Sequence, residues 1–400
     1  MLSRVVSVVI VGLVLTGCTD DSAADDPVEP TTTVSSSTSS TSSPGTGTVA
    51  TTWTATTREA SFTAGLPNKG ANPIAAGDAV VVLSEHAAAA YDVTTGEPSW
   101  ETALPDEVCA SSDRVSGAGA IAVLLGAGGE CSRAAALDAA SGELLWTVPL
   151  PAATDSFGHQ VAVGPDSVVV TGECTGFLVL ALGDGAVIAT VTGDNVEDRC
   201  ATAATDGTTV VLSSRGTIST YDAGTGEQQG TWPIDDLGRL GDLLTQNPLV
   251  VTGRFASGGR LVDLSGARPQ PFGRDKGGFG GEPAASVRVG NTLWVQYDDT
   301  ASLVGYDLTS RREIGTVRVG TSARLVGSHD DRLVVTVGDT SPEGVELWLV
   351  DPTAPAEPEV LGVLSRPDGE DGALAGSVVA DDQLVRLWPG QVEAIALPST

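Results

Sequence analysis

Side chains able to do chemistry are few in this 400-residue sequence, and their spacing limits what they can do. Of five cysteines, Cys18 stands apart; Cys109, Cys131, Cys174 and Cys200 fit no zinc spacing, and only His86, His159 and His329 could help them. Metal held by Cys and His is therefore not expected. His159 lies near Asp155 and Ser156, the residue types of a hydrolytic triad, but nearness in sequence is not geometry, and it is read as an ordinary loop or strand residue. Carboxylates gather at DNVED (Asp194 to Asp198), HDD (His329 to Asp331) and DGEDG (Asp368 to Gly372). None follows a calcium-loop spacing, so solvated turns are expected there. No nucleophile elbow, Walker loop or His-Glu-x-x-His occurs.

The leader carries the clearest chemical signal. Arg4 precedes Val5 to Leu15 (VVSVVIVGLVL), an apolar run too short for a bilayer-spanning helix, which takes about 20 residues. It closes on Leu15-Thr16-Gly17-Cys18, which resembles the lipobox of bacterial lipoproteins. The resemblance implies export, cleavage after residue 17 and acylation of the Cys18 thiol, so residues 1–18 are assigned as a lipoprotein signal peptide. Residues 19–47 are Ser, Thr, Pro, Asp and Gly with almost no apolar residue. They bury too little to offset ordering entropy and are predicted to form a disordered tether, with a reach of about 30 Å and a composition open to O-glycosylation. The expected location is the extracytoplasmic side of the cell membrane, anchored by lipid.

Charge narrows the partners. Five of the 51 acids lie in the tether and one of the 21 bases in the leader, so the remainder carries 46 acids against 20 bases, a net −26. Nucleic acid and anionic lipid head groups would repel such a body, which excludes nucleic-acid binding. Once Cys18 is assigned to lipid, four thiols remain in an exported chain, which points to two disulfides.

Those groups must be positioned by strands. Val, Ala, Thr and Leu occur in short runs broken by Gly-Asp, Asp-Gly, Ser-Gly and Pro, without sustained helical spacing. The stretch YDVTTGEPSW (Tyr91 to Trp100) returns as LDAASGELLW (Leu137 to Trp146) and as YDAGTGEQQGTW (Tyr221 to Trp232). Asp92, Asp138 and Asp222 lead the repeat, with Asp184, Asp263, Asp307 and Asp351 in phase at spacings of 38 to 46 residues. That is one four-stranded propeller blade. The Asp carboxylate can accept turn N–H groups, Gly96, Gly142 and Gly226 can take φ > 0, and Trp100, Trp146 and Trp232 can pack against the next blade. These are structural roles. The last unit supplies three strands (SVVADD, QLVRLWPG, QVEAIAL), while TVATTWTATTREA precedes the first unit. An open edge invites aggregation, so the N-terminal strand is expected to complete the final blade. The prediction is an all-β, eight-bladed propeller of four-stranded antiparallel blades over residues 48–400.

The three strongest repeats resemble those of the pyrroloquinoline-quinone-like β-propellers, the group of quinoprotein alcohol dehydrogenases and BamB-like bacterial lipoproteins. The resemblance implies eight blades docked through Trp. It does not fix function, because the fold hosts enzymes and scaffolds alike. Quinoprotein dehydrogenases often carry adjacent cysteines and an acidic calcium site; no adjacent cysteines occur here and no cofactor-ligand motif matches. The chain is therefore expected not to be an enzyme and to carry no cofactor or metal.

In a propeller with these strand phases, all four cysteines fall on one face, with Cys109–Cys131 expected within blade two and Cys174–Cys200 between blades three and four. The competing pairings span more of the ring or need different strand phases. The longest irregular connections are read on that same face, and Arg254, Phe255, Arg274, Lys276, Phe279 and Tyr297 mix the aromatic and cationic character of partner surfaces. The expected function is a monomeric protein-binding scaffold for envelope or membrane proteins. A quinone-dependent oxidoreductase and a receptor for small ligands or glycans are the alternatives. High Ala, Gly, Val and Asp with a Ser/Thr tether looks like an actinobacterial envelope lipoprotein, so a role in Gram-negative barrel assembly is not carried over.

Overall fold

Runs such as AVVVL, SVVVTG and RLVVTV are apolar at successive positions, which a sheet with one wet face does not allow. The computed structural model accounts for them: each run is a strand covered on both faces. The structure describes residues 49–57 and 72–399, except 128–129, 151–159, 173–175, 193–201, 215, 235–236, 256–257, 274–282, 298–301, 321, 339–344, 355–357, 365–373 and 375. All of them fall in one unit, Thr46–Thr400.

Eight four-stranded antiparallel sheets succeed one another among these residues. The chain enters through β1 (Trp53–Thr56). Blade one is β2 (Ile74–Ala76), β3 (Ala79–Leu83), β4 (Ala87–Asp92) and β5 (Pro98–Ala103). Blade two is β6 (Glu107–Ser111), β7 (Ala120–Ala127), β8 (Glu130–Asp138) and β9 (Leu144–Pro149). Blade three is β10 (Gln160–Val163), β11 (Ser167–Gly172), β12 (Gly176–Ala181) and β13 (Val187–Thr192). Blade four is β14 (Thr202–Thr205), β15 (Thr209–Ser214), β16 (Thr217–Asp222) and β17 (Gln228–Pro233). Blade five is β18 (Leu237–Thr245), β19 (Val250–Phe255), β20 (Gly258–Asp263) and the short β21 (Gln270–Phe272). Blade six is β22 (Pro283–Val289), β23 (Thr292–Tyr297), β24 (Ser302–Asp307) and β25 (Arg312–Arg318). Blade seven is β26 (Ala323–His329), β27 (Arg332–Val337), β28 (Val345–Val350) and β29 (Glu359–Leu364). Blade eight takes three strands from the C-terminal stretch, β30 (Gly376–Ala380), β31 (Gln383–Trp388) and β32 (Gln391–Ala396), and its fourth from β1.

Burial follows a strand's place in its blade. The second strand meets neighbouring blades on both faces, and β11 is buried at all six positions. Fourth strands lie at the periphery, and β5, β13 and β17 alternate between exposed and half-buried residues. Eight apolar clusters occur among the described residues, each drawn from two successive blades. Val81 and Leu83 of blade one meet Ile121, Val123 and Leu125 of blade two, for example. The eighth cluster closes the ring: Val385 and Leu387 of blade eight pack with Trp53, Val80, Val82 and Tyr91.

Closure is made by hydrogen-bonded strands. β1 runs antiparallel to β32, with Trp53 opposite Ala394 and Thr56 opposite Gln391. Trp53 and Trp388 thus lie in one sheet, the arrangement expected of a ring latched by its first strand. Inside that blade Arg386 Nη2 lies 2.5 Å from Glu393 Oε1, both side chains buried, and Trp388 Nε1 donates to the same oxygen at 2.7 Å. Burial pushes the Arg386 guanidinium below its ordinary value, and Glu393 opposes that shift.

Candidate functional site

The repeat residues assemble a turn-and-dock module. Asp92 Oδ1 accepts the backbone N–H groups of Thr94 (3.0 Å) and Thr95 (2.8 Å) and the Thr95 hydroxyl (3.0 Å). Asp138 does the same with Ala140 and Ser141, and Asp222 with Gly224 and Thr225. At Asp92 and Asp138 these bonds favour the ionised carboxylate. The Thr95 N–H and hydroxyl hold Asp92 below its ordinary 3.8, and Ser141 does so for Asp138. Ser310 and Thr353 act alike on Asp307 and Asp351 in blades six and seven. Four residues after each leading Asp, the chain turns left-handed at Gly96 (φ 73°), Gly142 (φ 72°) and Gly226 (φ 72°).

Those glycines also receive the neighbouring blade. Trp53 Nε1 donates to Val93 O at 2.7 Å, and a Cβ on Gly96 would stand 2.5 Å from its ring. Trp100 reaches Ala139 O at 3.0 Å over Gly142, and Trp146 reaches Leu182 O at 2.6 Å over Gly185. The strand that latches the ring therefore repeats the contact that joins the early blades. Trp232 is a correction to the sequence-based reading. It pairs with Ile218, whereas Trp100 and Trp146 pair two residues nearer their Asp, opposite Ala90 and Ala136. Gly230 holds the docking register in blade four, and Trp232 folds over it beside the core shared with blade five.

Two docking variants depart from the repeat. In blade three Ala189 stands where the indole would be and packs against Gly226. In blade six the glycine position is Arg311 (φ 58°), whose guanidinium pairs with Asp263, the fully buried leading Asp of blade five. The signal available beforehand was the residue four places beyond Asp307: a long cation where the other strong repeats carry Gly.

The remaining predicted residues are scattered. Cys109 and Cys131 form the disulfide expected within blade two, linking β6 to β8. Cys18, Cys174 and Cys200 lie outside the described residues, as do Arg274, Lys276, Phe279, His159 and the DNVED and DGEDG clusters. Arg254 and Phe255 belong to the end of β19, paired with Gly259 and Gly258 of β20, so both lie in a strand and not in an irregular connection. Tyr297 is also corrected. It ends β23 at 1% exposure, and its hydroxyl lies 3.1 Å from that of Tyr306, so it is core between blades five and six and presents no surface. The apolar period runs one residue further than the loop reading allowed.

At HDD, Asp330 and Asp331 take left-handed turn conformations. The buried His329 ring sits 3.7 Å from Asp330 and 3.8 Å from Asp382 of blade eight. No group of three or more metal-ligating side chains occurs among the described residues. A cleft of about 300 Å³ opens at the closing seam between β1 and blade one, lined by Ala55, Thr57, Val82, Ala88, Tyr91 and Glu101 among others.

Residues 130–270 match the family described as outer membrane protein assembly factor BamB. No curated protein matches the chain in sequence. Among solved structures, BamB from Moraxella catarrhalis aligns over 87% of this chain and 100% of its own, with TM-score 0.56 at 13% identity. The computationally designed Ika8 protein aligns over 85% and 100%, with TM-score 0.56 at 14% identity. The C-terminal WD40 domain of Sif2 aligns over 85% and 99%, with TM-score 0.58 at 9% identity. At these identities the likeness carries the fold. With its blades, its latch and its docking module in place, the chain is an eight-bladed β-propeller whose residues 130–270 match the BamB family model.

Proposed function

We propose that this chain is a lipid-anchored, extracytoplasmic protein whose propeller binds protein and organises other envelope components, without catalysis and without a resident quinone or metal. The observation that carries the reading is where the repeat's chemistry goes. The carboxylates of Asp92, Asp138 and Asp222 close turns, and the indoles of Trp53, Trp100 and Trp146 dock blades. Those groups build a rigid ring, and rigid rings display loops and edges to partners. The description of the matched family as an assembly factor supports the same reading. Cys18 supplies the anchor, and Arg254, Phe255, Arg274, Lys276 and Phe279 stay as candidate contacts.

Crosslinking in intact cells followed by affinity capture tests this. A discrete protein partner is expected, recovered less with the five contact residues changed to Ala, and Cys18→Ala is expected to release the chain from the membrane fraction. Dye reduction after reconstitution with calcium and the quinone would replace the scaffold with an oxidoreductase. A glycan captured without protein would replace it with a receptor.

A further inference from the structure

The outer edge of a blade's fourth strand has no further strand of its sheet to pair with, and natural sheets guard such edges with proline, charge or brevity; at β29 Val363 O also accepts the Val49 N–H. Seven of the eight outermost strands here are guarded. β5 has Pro98 and Glu101, β9 has Pro149, β17 has Pro233, and β21 is three residues long with Pro271. β25 carries Arg312, Glu313 and Arg318, β29 begins with Glu359, and β1 has four residues. β13 alone reads VIATVT over six residues, with no proline and no charge. Five of those residues are β-branched, the composition that pairs most readily.

Its side chains point the same way. Val187 is 58% exposed and Ile188 40%, neighbouring apolar residues on an outer edge. The same strand has given up the docking indole, since Ala189 occupies that position. Among the described residues, blade three thus lacks the docking indole on the one outermost strand longer than four residues that carries neither proline nor charge.

The geometry points to β13 as a strand-addition site for an extended, uncharged β-branched segment of another protein that carries Lys or Arg at its ends, an assignment that rests on the scaffold reading. Main-chain hydrogen bonds would supply affinity, and alternate side chains of the added strand would cover Val187 and Ile188. Charge selects the occupant. The chain bears a net −30, so a second copy meets like charge, while a cationic-ended strand is attracted; exposed Asp184 stands in the turn just before β13. An uncharged edge buries no unpaired charge when it is covered.

The test uses the full chain and two synthetic peptides of alternating Val and Thr, one ended by Lys and one by Glu. The Lys-ended peptide is expected to bind, by fluorescence anisotropy, at least about tenfold tighter than the Glu-ended one at low salt. It is also expected to slow amide exchange across Val187–Thr192. The variant carrying Ile188→Lys and Thr190→Lys, both exposed positions, should lose that binding with its melting temperature unchanged, and Thr192→Pro gives a second block if it does not fold. Equal binding of both peptides, protection elsewhere in the ring, or sedimentation as a β13-dependent dimer would each overturn the assignment. Envelope crosslinks that survive the β13 variant would remove this site and leave the scaffold reading standing.

Discussion

Gly142 and Gly77 share a left-handed backbone, at φ 72° and 66°, for different reasons. A Cβ on Gly77 would meet nothing within 4 Å, whereas one on Gly142 would run into the Trp100 ring. Gly77→Ala is therefore expected to cost about 1 kcal/mol through backbone strain alone. Gly142→Ala should cost about 2 kcal/mol more, because an indole fixed by its hydrogen bond to Ala139 has to shift. Urea unfolding of the two variants measures the difference, and equal losses would remove the close approach from the stability of the ring. The turn chemistry itself was legible in the sequence, because an Asp that binds its own next residues needs no distant partner. Which glycine faces a ring was legible only where Asp, Gly and Trp recur at constant spacing, and the Asp222 repeat slipped by two residues.

At the scale of elements, β1 is a four-residue strand whose hold depends on one large side chain. Trp53 contributes a hydrogen bond to Val93 and packs with Val80, Val82, Val385 and Leu387 across the seam. Trp53→Ala is expected to destabilise the chain by about 3–5 kcal/mol and to raise amide exchange of Gln391–Ala396, its partner strand, before the other blades respond. Unchanged exchange in that strand would place closure elsewhere. The strands themselves were legible because second strands are apolar on both sides and fourth strands are half polar. Phases slipped at Tyr297 and Arg254, where the strand continues into residues that also suit a binding loop. The pairing of Arg311 with Asp263 lay beyond sequence reasoning, since it joins residues on different blades that share no repeat position.

For the molecule as a whole, two electrostatic effects oppose each other as pH falls. Self-repulsion at net −30 eases as the charge approaches zero near pH 4.1, which favours the compact state. Asp92, Asp138, Asp307 and Asp351 have folded-state values held below 3.8 by turn hydrogen bonds. Their stabilisation is complete above the ordinary carboxylate value and is lost as pH falls through the lowered ones. The melting temperature is expected to rise from pH 7 to about pH 5 and to fall below about pH 4, with added salt flattening the upper limb. A melting temperature that keeps climbing at pH 3 would show that the turn carboxylates contribute nothing. The disulfide between Cys109 and Cys131 closes 22 residues within one blade and does not bear on this balance.

The amino-acid sequence by itself determined the blade length, the number of blades, the turns and the need for a borrowed strand. Each of these follows from short-range chemistry repeated down the chain: alternation of burial, a carboxylate over its own turn, glycine where φ is positive. Only the tertiary structure decided that Trp232 is out of register, that Tyr297 is core, that the Arg311 guanidinium pairs with Asp263 and that the uncharged VIATVT segment is an outermost strand. Those outcomes depend on what another blade places opposite a residue, and a repeat that has diverged no longer encodes its neighbour.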